Sequence, residues 1–228
     1  MTLTHFGLRE WGLGTAALAL FWAAAAALWH YGFPTAAAVV AVAALVCWLP
    51  VGFFFRNPKR RLPEDLSLIL SPADGVVRDI EVVDFDQEPF NGRALRIGIF
   101  LSVLNVHVNR APAEWKLISK IYREGRYLDA RDSRCAKENE AMTLGGNASV
   151  CGETFPMAVR QISGAIARRI VCPPDPGCHL ARGKVYGMIK FGSRTELYLP
   201  DDPRFKVLVK IGDKVNSGIV ALARLEKE

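Results

Sequence analysis

The sequence predicts a mainly β (α+β) protein: an antiparallel β-sheet domain with barrel- or sandwich-like hairpins, preceded by a hydrophobic helical hairpin. Three observations carry this. From Trp11 to Phe55 there is no Asp, Glu, Lys or Arg over 45 residues. Beyond Pro63 the Ala-rich segments give way to short β-branched runs separated by Gly, Pro, Asn and Asp. The 228 residues, half of them hydrophobic, are enough to bury one full core beside such an appendage. The expected division is a hairpin with its basic linker over 1–61 and a β-rich domain over 62–228.

In the first part, "WGLGTAALALFWAAAAALWH" and "TAAAVVAVAALVCWLPVGFFF" each approach the roughly 20 apolar residues that a spanning helix needs, and "YGFP" supplies the turn between them. A cleavable signal peptide has a basic leader, one short apolar stretch and a small-residue cleavage site, a layout not found here. Trp11, Trp22, Trp29 and Tyr31 near the ends suit an interfacial belt, and the four cations of "RNPKRR" (Arg56 to Arg61) follow at once. Those cations place the next domain on the cytoplasmic side of the cell membrane. The competing reading is a buried hairpin of a soluble protein. The Ala-rich composition leaves open whether the hairpin crosses the bilayer or only dips into it.

The net charge of +6 points to anionic lipid rather than nucleic acid, because no Lys/Arg stripe is interleaved with aromatics. Five cysteines without a CxxC pair suit a reducing compartment. "CPPDPGCH" (Cys172 to His179) reads as a Pro/Gly-rich loop, since a zinc site needs a second close pair of ligands. No metal is expected.

In the second part the strand candidates, in order, are "LSLILS", "GVVRDIEVV", "ALRIGIFLS", "KLISKIY", "TFPMAVRQI", "KVYGMIKF", "TELYLP" and "FKVLVKIG". Only "GAIARRI" and "DARDSRCAKENE" look helical. The closing "FKVLVKIGDKVNSGIVALARL" resembles the hairpin of lipoyl and biotinyl carrier domains, which motivates a non-enzymatic alternative, a membrane-tethered adaptor module. It lacks the "MKM" or "DKA" tip that would carry a prosthetic group.

Three short segments bear chemistry. "SPADGVV" holds Asp74 between a proline and a glycine at the mouth of a strand, where turn chemistry alone would explain it. "FLSVLNVHVNRAP" holds His107 inside a β-branched run, where a hydrogen-bonded core histidine is the bland alternative. "MIKFGSRTELYLP" sets Gly192 and Ser193 between two strand-like runs. Together Asp, His and Ser are the set that activates a hydroxyl: imidazole takes the proton and carboxylate orients it. A membrane-tethered serine hydrolase is one use of such a set, but no "GxSxG" elbow is present. Glycine before the serine leaves the preceding carbonyl open, which suits attack by Ser193 on its own peptide bond.

"SPADG", "NVHVNR", "NE" at Asn139 and Glu140, "RQISGAIARRIV" and "GMIKFGSRTELYLP", together with the apolar hairpin, resemble the short bacterial and archaeal phosphatidylserine decarboxylase proenzymes over nearly the whole chain. That resemblance implies self-cleavage between Gly192 and Ser193 into a large β chain (1–192) and a small α chain (193–228), which stay associated. Ser193 would become a covalent pyruvoyl cofactor that forms a Schiff base with phosphatidylserine and releases phosphatidylethanolamine. It implies His107 as base and proton donor with Asp74 behind it, and a membrane phospholipid as substrate. Arg194 would lie beside the pyruvoyl carbonyl, where it could meet a carboxylate or phosphate; a solvated surface Arg is the alternative. Longer members carry a second His where this chain has Leu104. Nothing around Lys190 marks a pyridoxal site. The oligomeric state, a homo-oligomer included, is not legible.

Overall fold

A computed structural model describes residues 2–130, 132, 134–165, 169–190 and 192–226. The chain forms two compact units, Met1–Lys59 and Arg60–Glu228.

In the first unit, β1 (Thr2–Leu3) pairs antiparallel with β2 (Arg56–Asn57) at the base of a hairpin of α1 (Leu8–His30) and α2 (Pro34–Phe54). Pro34 opens α2, where its missing N–H is not needed. Gly32, at φ +87°, makes the reversal before it. Polar groups in this apolar pair satisfy each other across the helices: Trp48 Nε1 donates to Thr15 Oγ1 at 3.1 Å and Trp22 Nε1 to the Ala41 carbonyl at 3.2 Å. Leu13, Leu20, Trp29, Val39 and Val42 face outward. Both helices are long and apolar enough to cross a membrane.

The second unit is built of short antiparallel strands. Its largest sheet uses β4 (Gly75–Phe85), β5 (Gly92–Leu101), β7 (Glu114–Arg123), β8 (Ala141–Val150), β9 (Glu153–Ile162), β11 (His179–Leu180), β13 (Ser193–Pro200) and β15 (Lys214–Val215), in the order β11-β7-β8-β9-β13-β5-β4-β15. A three-stranded sheet orders β10 (Arg169–Val171), β12 (Val185–Lys190) and β6 (Val108–Arg110) as β10-β12-β6. A second one orders β14 (Phe205–Val207), β16 (Ala221–Leu225) and β3 (Leu68–Leu70) as β14-β16-β3. Strand alternation puts Ile97, Ile99, Leu101, Leu197 and Leu199 on one face of the large sheet. There they join Trp115, Leu117, Leu144, Met157 and Val159 in the main core.

The closing hairpin forms as expected, β14 pairing with β16, though "FKVLVKIG" contributes only Phe205–Val207 as strand. One strand lies outside the candidates, and one expectation changes. "AMTLGGNASV" is the central strand β8, although Gly145, Gly146 and Asn147 look like a turn. A Cβ on Gly146 would run into the Lys116 carbonyl of β7, so the glycine serves close strand packing. The stretches expected to be helical mostly are not. Arg169 and Ile170 lie in β10, paired with Lys190 and Ile189, while residues 166–168 lie outside the described residues. Of "DARDSRCAKENE" only α3 (Cys135–Glu138) is helical, with residues 131 and 133 outside the description.

The other face of β13 carries charge. Glu196, fully buried, accepts from Arg194 Nε at 2.8 Å and from the Tyr198 hydroxyl at 2.6 Å. Arg194 also pairs with Asp79 at 2.7 Å. A Cβ on Gly98 would collide with this guanidinium, so the glycine makes room for it. Burial, and then the Glu196 charge, push the Tyr198 phenol far up, so it stays a donor. For Arg194, burial acts to lower the pKa, but Glu196 and Asp79 outweigh it and hold the side chain cationic. Removing one partner of such a buried network strands the others. Glu196→Ala in a Ser193→Ala background is expected to lose about 3–5 kcal/mol in denaturant unfolding relative to Ser193→Ala alone. A loss within about 0.5 kcal/mol, typical of a surface site, would show the network to be uncoupled from the fold.

Candidate functional site

The turn entering β6 sets the histidine. Asn105 folds its side chain back, its Oδ1 accepting from the Ser102 N–H at 2.9 Å and the Ser102 hydroxyl at 2.7 Å. The main chain then presents the Asn105 carbonyl to His107 Nδ1 at 2.9 Å. A carbonyl only accepts, so Nδ1 carries the proton and Nε2 is the basic nitrogen of the neutral ring. His107 is fully buried, and its Nε2 accepts the Gly192 N–H at 3.2 Å. Gly192 has φ +61°, the left-handed region that glycine tolerates best.

Ser193 is the first residue of β13, opposite Leu101 of β5. It is fully buried, and its Oγ has no hydrogen-bond partner among the described residues. Side chains two apart share a face of a strand, so Ser193 looks the same way as Thr195. Thr195 Oγ1 accepts from Asn109 Nδ2 at 3.2 Å. Asn109 in turn follows His107 by two. The Ser193–His107 pair is therefore one step along from a bond that already ties the two strands. Gln161 Nε2 donates to Asn109 Oδ1 at 2.8 Å, and Asn109 Nδ2 also reaches the Pro72 carbonyl at 3.3 Å. A buried amide network thus joins the 71–75 turn, β6, β9 and β13 beneath the serine.

Asp74 takes a different place from the one expected. Its Oδ2 accepts from Arg60 at 2.7 Å and Asn216 at 3.0 Å, and its Oδ1 from the Ser217 N–H at 2.8 Å. The Asn105 carbonyl, and not this carboxylate, holds His107 Nδ1. Asp74 still lies close in the sheet. Gly75 follows the register toward Leu101, which pairs with Ser193, so the turn is two strands away, roughly 10 Å. Arg194 is neither beside the serine's face nor solvated. It is buried on the opposite face of β13, bound to Asp79 and Glu196. Arg60 of the basic linker is held by Asp74, with its side chain 12% exposed, whereas Lys59 and Arg61 are exposed. Leu104 stands out on the turn, 71% exposed.

A cavity of about 250 Å³ opens beside Gly192, lined by Phe100 to Val103, Asp129, Ala130 and Ala165. Sequence reasoning passed over Asn105, Asn109, Gln161 and Gly164, all of them inside stretches that stood out as motifs. Their signal was polar or glycine residues within apolar runs.

A family model described as phosphatidylserine decarboxylase matches residues 50–222. Curated proteins named phosphatidylserine decarboxylase proenzyme are similar over most of their length. The one from Rhodopirellula baltica is 42% identical over 86% of this chain and 78% of its own, and the one from Carboxydothermus hydrogenoformans is 45% identical over 78% and 81%. The one from Pelobacter propionicus is 43% identical over 86% and 82%.

Among the described residues no three His, Cys, Asp or Glu side chains gather as metal ligands. Cys178 and Cys151 are exposed. Burial pushes the thiol of Cys135 up to about 11 and that of Cys172 up to about 12. A raised pKa leaves less thiolate at a given pH, roughly one part in a thousand or less for these two at pH 8 against about a quarter for an ordinary thiol. Iodoacetamide at pH 8 is expected to label Cys151 and Cys178 in native protein and to reach Cys135 and Cys172 only after denaturation. Peptide mass mapping showing equal labelling would contradict that burial.

Proposed function

The chain belongs to the phosphatidylserine decarboxylase family, and we propose that it is a membrane-attached proenzyme that cleaves itself between Gly192 and Ser193 and decarboxylates phosphatidylserine to phosphatidylethanolamine. The observation that carries this reading is the pairing of a buried, unpartnered Ser193 hydroxyl with His107 Nε2 on the N–H of the adjacent Gly192.

In the proposed processing, His107 Nε2 exchanges its bond to the Gly192 N–H for the Ser193 hydroxyl proton, and Oγ attacks the Gly192 carbonyl carbon. The proton passes to the Ser193 nitrogen as the C–N bond breaks, leaving an ester between Gly192 and Oγ. Loss of the Ser193 Cα proton expels Gly192 as a carboxylate and leaves dehydroalanine. Water then adds to its imine tautomer, ammonia departs, and residue 193 ends as a pyruvoyl group. The residues fit that group: position 193 is enclosed and starts a strand held by β5 and β9. When formed, the pyruvoyl ketone supplies the electron sink that a decarboxylation needs. The chain's part is then to seat the headgroup in the cavity beside Gly192, to exclude water, and to return a proton from His107 to the former α-carbon. The apolar hairpin, with Arg56, Lys59 and Arg61 after it, would keep the domain at the cytoplasmic membrane surface.

Asp74 acts in this proposal as a positioning residue. It anchors the 71–75 turn, whose Pro72 carbonyl receives Asn109 and, through Asn109, steadies Thr195. A carboxylate paired to imidazole would raise the histidine pKa, so its loss would move the cleavage profile to lower pH. With His107 held by a carbonyl, Asp74→Asn is expected to slow cleavage about tenfold while the midpoint of cleavage against pH stays put. A shift of the midpoint by about a unit would restore the direct Asp–His pair.

Purified wild-type protein is expected to run as fragments 1–192 and 193–228. The small one should be lighter by roughly 17 Da than the same peptide beginning with serine, because the oxygen lost in elimination is regained on hydrolysis and one ammonia leaves. Ser193→Ala should stay whole and inactive. A single unmodified 25.1 kDa wild-type chain would sink the processing reading, and decarboxylation by Ser193→Ala would remove the pyruvoyl from it.

A further inference from the structure

We infer that Gly164 positions the scissile carbonyl, and that its lack of a side chain is a requirement of self-cleavage rather than of the fold. The inference rests on the processing reading above. A Cβ built on Gly164 would fall against the Gly192 carbonyl oxygen, well inside the 3.0 Å that real Cβ contacts respect. It would stand 3.2 Å from the Gly192 carbonyl carbon and 3.4 Å from the Ala130 Cβ. The nearest obstacle is main chain, so no flexible tip can swing away. Gly164 itself does not have a φ in the left-handed region, so the requirement is one of space alone.

The wall that Gly164 forms cannot easily retreat. Ser163, just before it, donates both its N–H and its hydroxyl to the Glu140 carbonyl, at 2.9 and 3.2 Å. The Ser163 carbonyl accepts from Asn139 Nδ2 at 2.8 Å. The same Asn139 amide clamps Leu128 from both sides, its Nδ2 donating to the Leu128 carbonyl and its Oδ1 accepting the Leu128 N–H, each at 2.9 Å. One buried amide thus fixes both segments that flank the carbonyl, 128–130 and 163–164.

Attack by Ser193 Oγ needs the Gly192 carbonyl turned so that one face of its carbon meets the hydroxyl. The Gly164 Cα closes off one direction in which the oxygen could swing. A methyl there would press on the carbonyl directly, while the nearest atoms it meets include none of the Ser193 side chain or the His107 ring. A misplacement of about 1 Å in a reacting group costs up to roughly a hundredfold in rate. Once the bond is cut, Gly192 is a free chain end, and the same methyl no longer obstructs a reaction at residue 193.

The test is Gly164→Ala, with Gly146→Ala as a matched control, because a Cβ on Gly146 meets the Lys116 carbonyl oxygen equally closely but within β8. Fold is compared by thermal melting of each variant in a Ser193→Ala background, where no chain is cut. Cleavage is followed by intact mass, and turnover of phosphatidylserine in mixed micelles is divided by the pyruvoyl content titrated with phenylhydrazine. Gly164→Ala is expected to cleave roughly a hundredfold more slowly, with turnover per pyruvoyl group within about twofold of wild type, while Gly146→Ala cleaves normally. Wild-type cleavage by Gly164→Ala overturns the inference. So does an equal loss of cleavage and of turnover per pyruvoyl group, and so does a Gly164→Ala/Ser193→Ala chain that fails to fold. Failure of the processing reading itself looks different, because wild-type protein would then remain one chain.

Discussion

Everything at the site depends on one crossing of the chain. β12 belongs to a three-stranded sheet with β6 and β10, while β13 lies in the large sheet between β5 and β9. The chain leaves one at Lys190 and enters the other at Ser193. The proposed scissile bond therefore joins two ladders rather than interrupting one. Each side keeps its own partners: Met188 on Val108, and Arg194 on both Phe100 and Ile162. A bond in the middle of a paired strand could not be cut without losing register. A bond between sheets can, and the fragments would stay bound through separate hydrogen-bonded edges and a shared core.

The same crossing divides β13 into two functions by strand alternation. Ser193 and Thr195 share one face, on which Thr195 meets Asn109 of β6; Arg194, Glu196 and Tyr198 look away, into the ion-pair network. The two faces need opposite things. The charged face must pair its charges, since an isolated buried charge is costly, and Arg194 and Glu196 are paired there, with room left for the guanidinium at Gly98. The serine face keeps one polar atom unpaired, the Ser193 hydroxyl, at a cost of about 1–3 kcal/mol. A rigid charged layer behind the strand is what allows that atom to stay in place without a bond of its own.

This division also explains what could be read from the sequence. The apolar hairpin, most of the strands and the gathering of Gly192 and His107 at one place were legible, because a span without charges, β-branched runs and a Gly-Ser interruption each have few readings. Arg194 was not, since adjacency in sequence suggests adjacency in space, whereas neighbours in a strand point to opposite faces. Nor was the partner of His107. Three residue types suggested a triad, but the backbone carbonyl of Asn105 fills the orienting role, and no side-chain pattern announces a carbonyl. β8 was hidden because Gly145 and Gly146 look like a turn, although their meaning lies in strands approaching too closely for a Cβ.

Two features bear on the proposed cleavage: His107 Nε2 is engaged by the Gly192 N–H, and Ser193 Oγ is bonded to nothing described. Both features would favour the proposed reaction. In the proposed processing, moving Nε2 from the amide N–H to the hydroxyl would exchange one hydrogen bond for another, satisfying the buried oxygen while freeing the Gly192 N–H. The bond given up would belong to the residue whose carbonyl is attacked. Releasing the Gly192 N–H would free that peptide to tilt just when its carbonyl carbon must turn tetrahedral, and the glycine backbone at φ +61° is the kind that can follow.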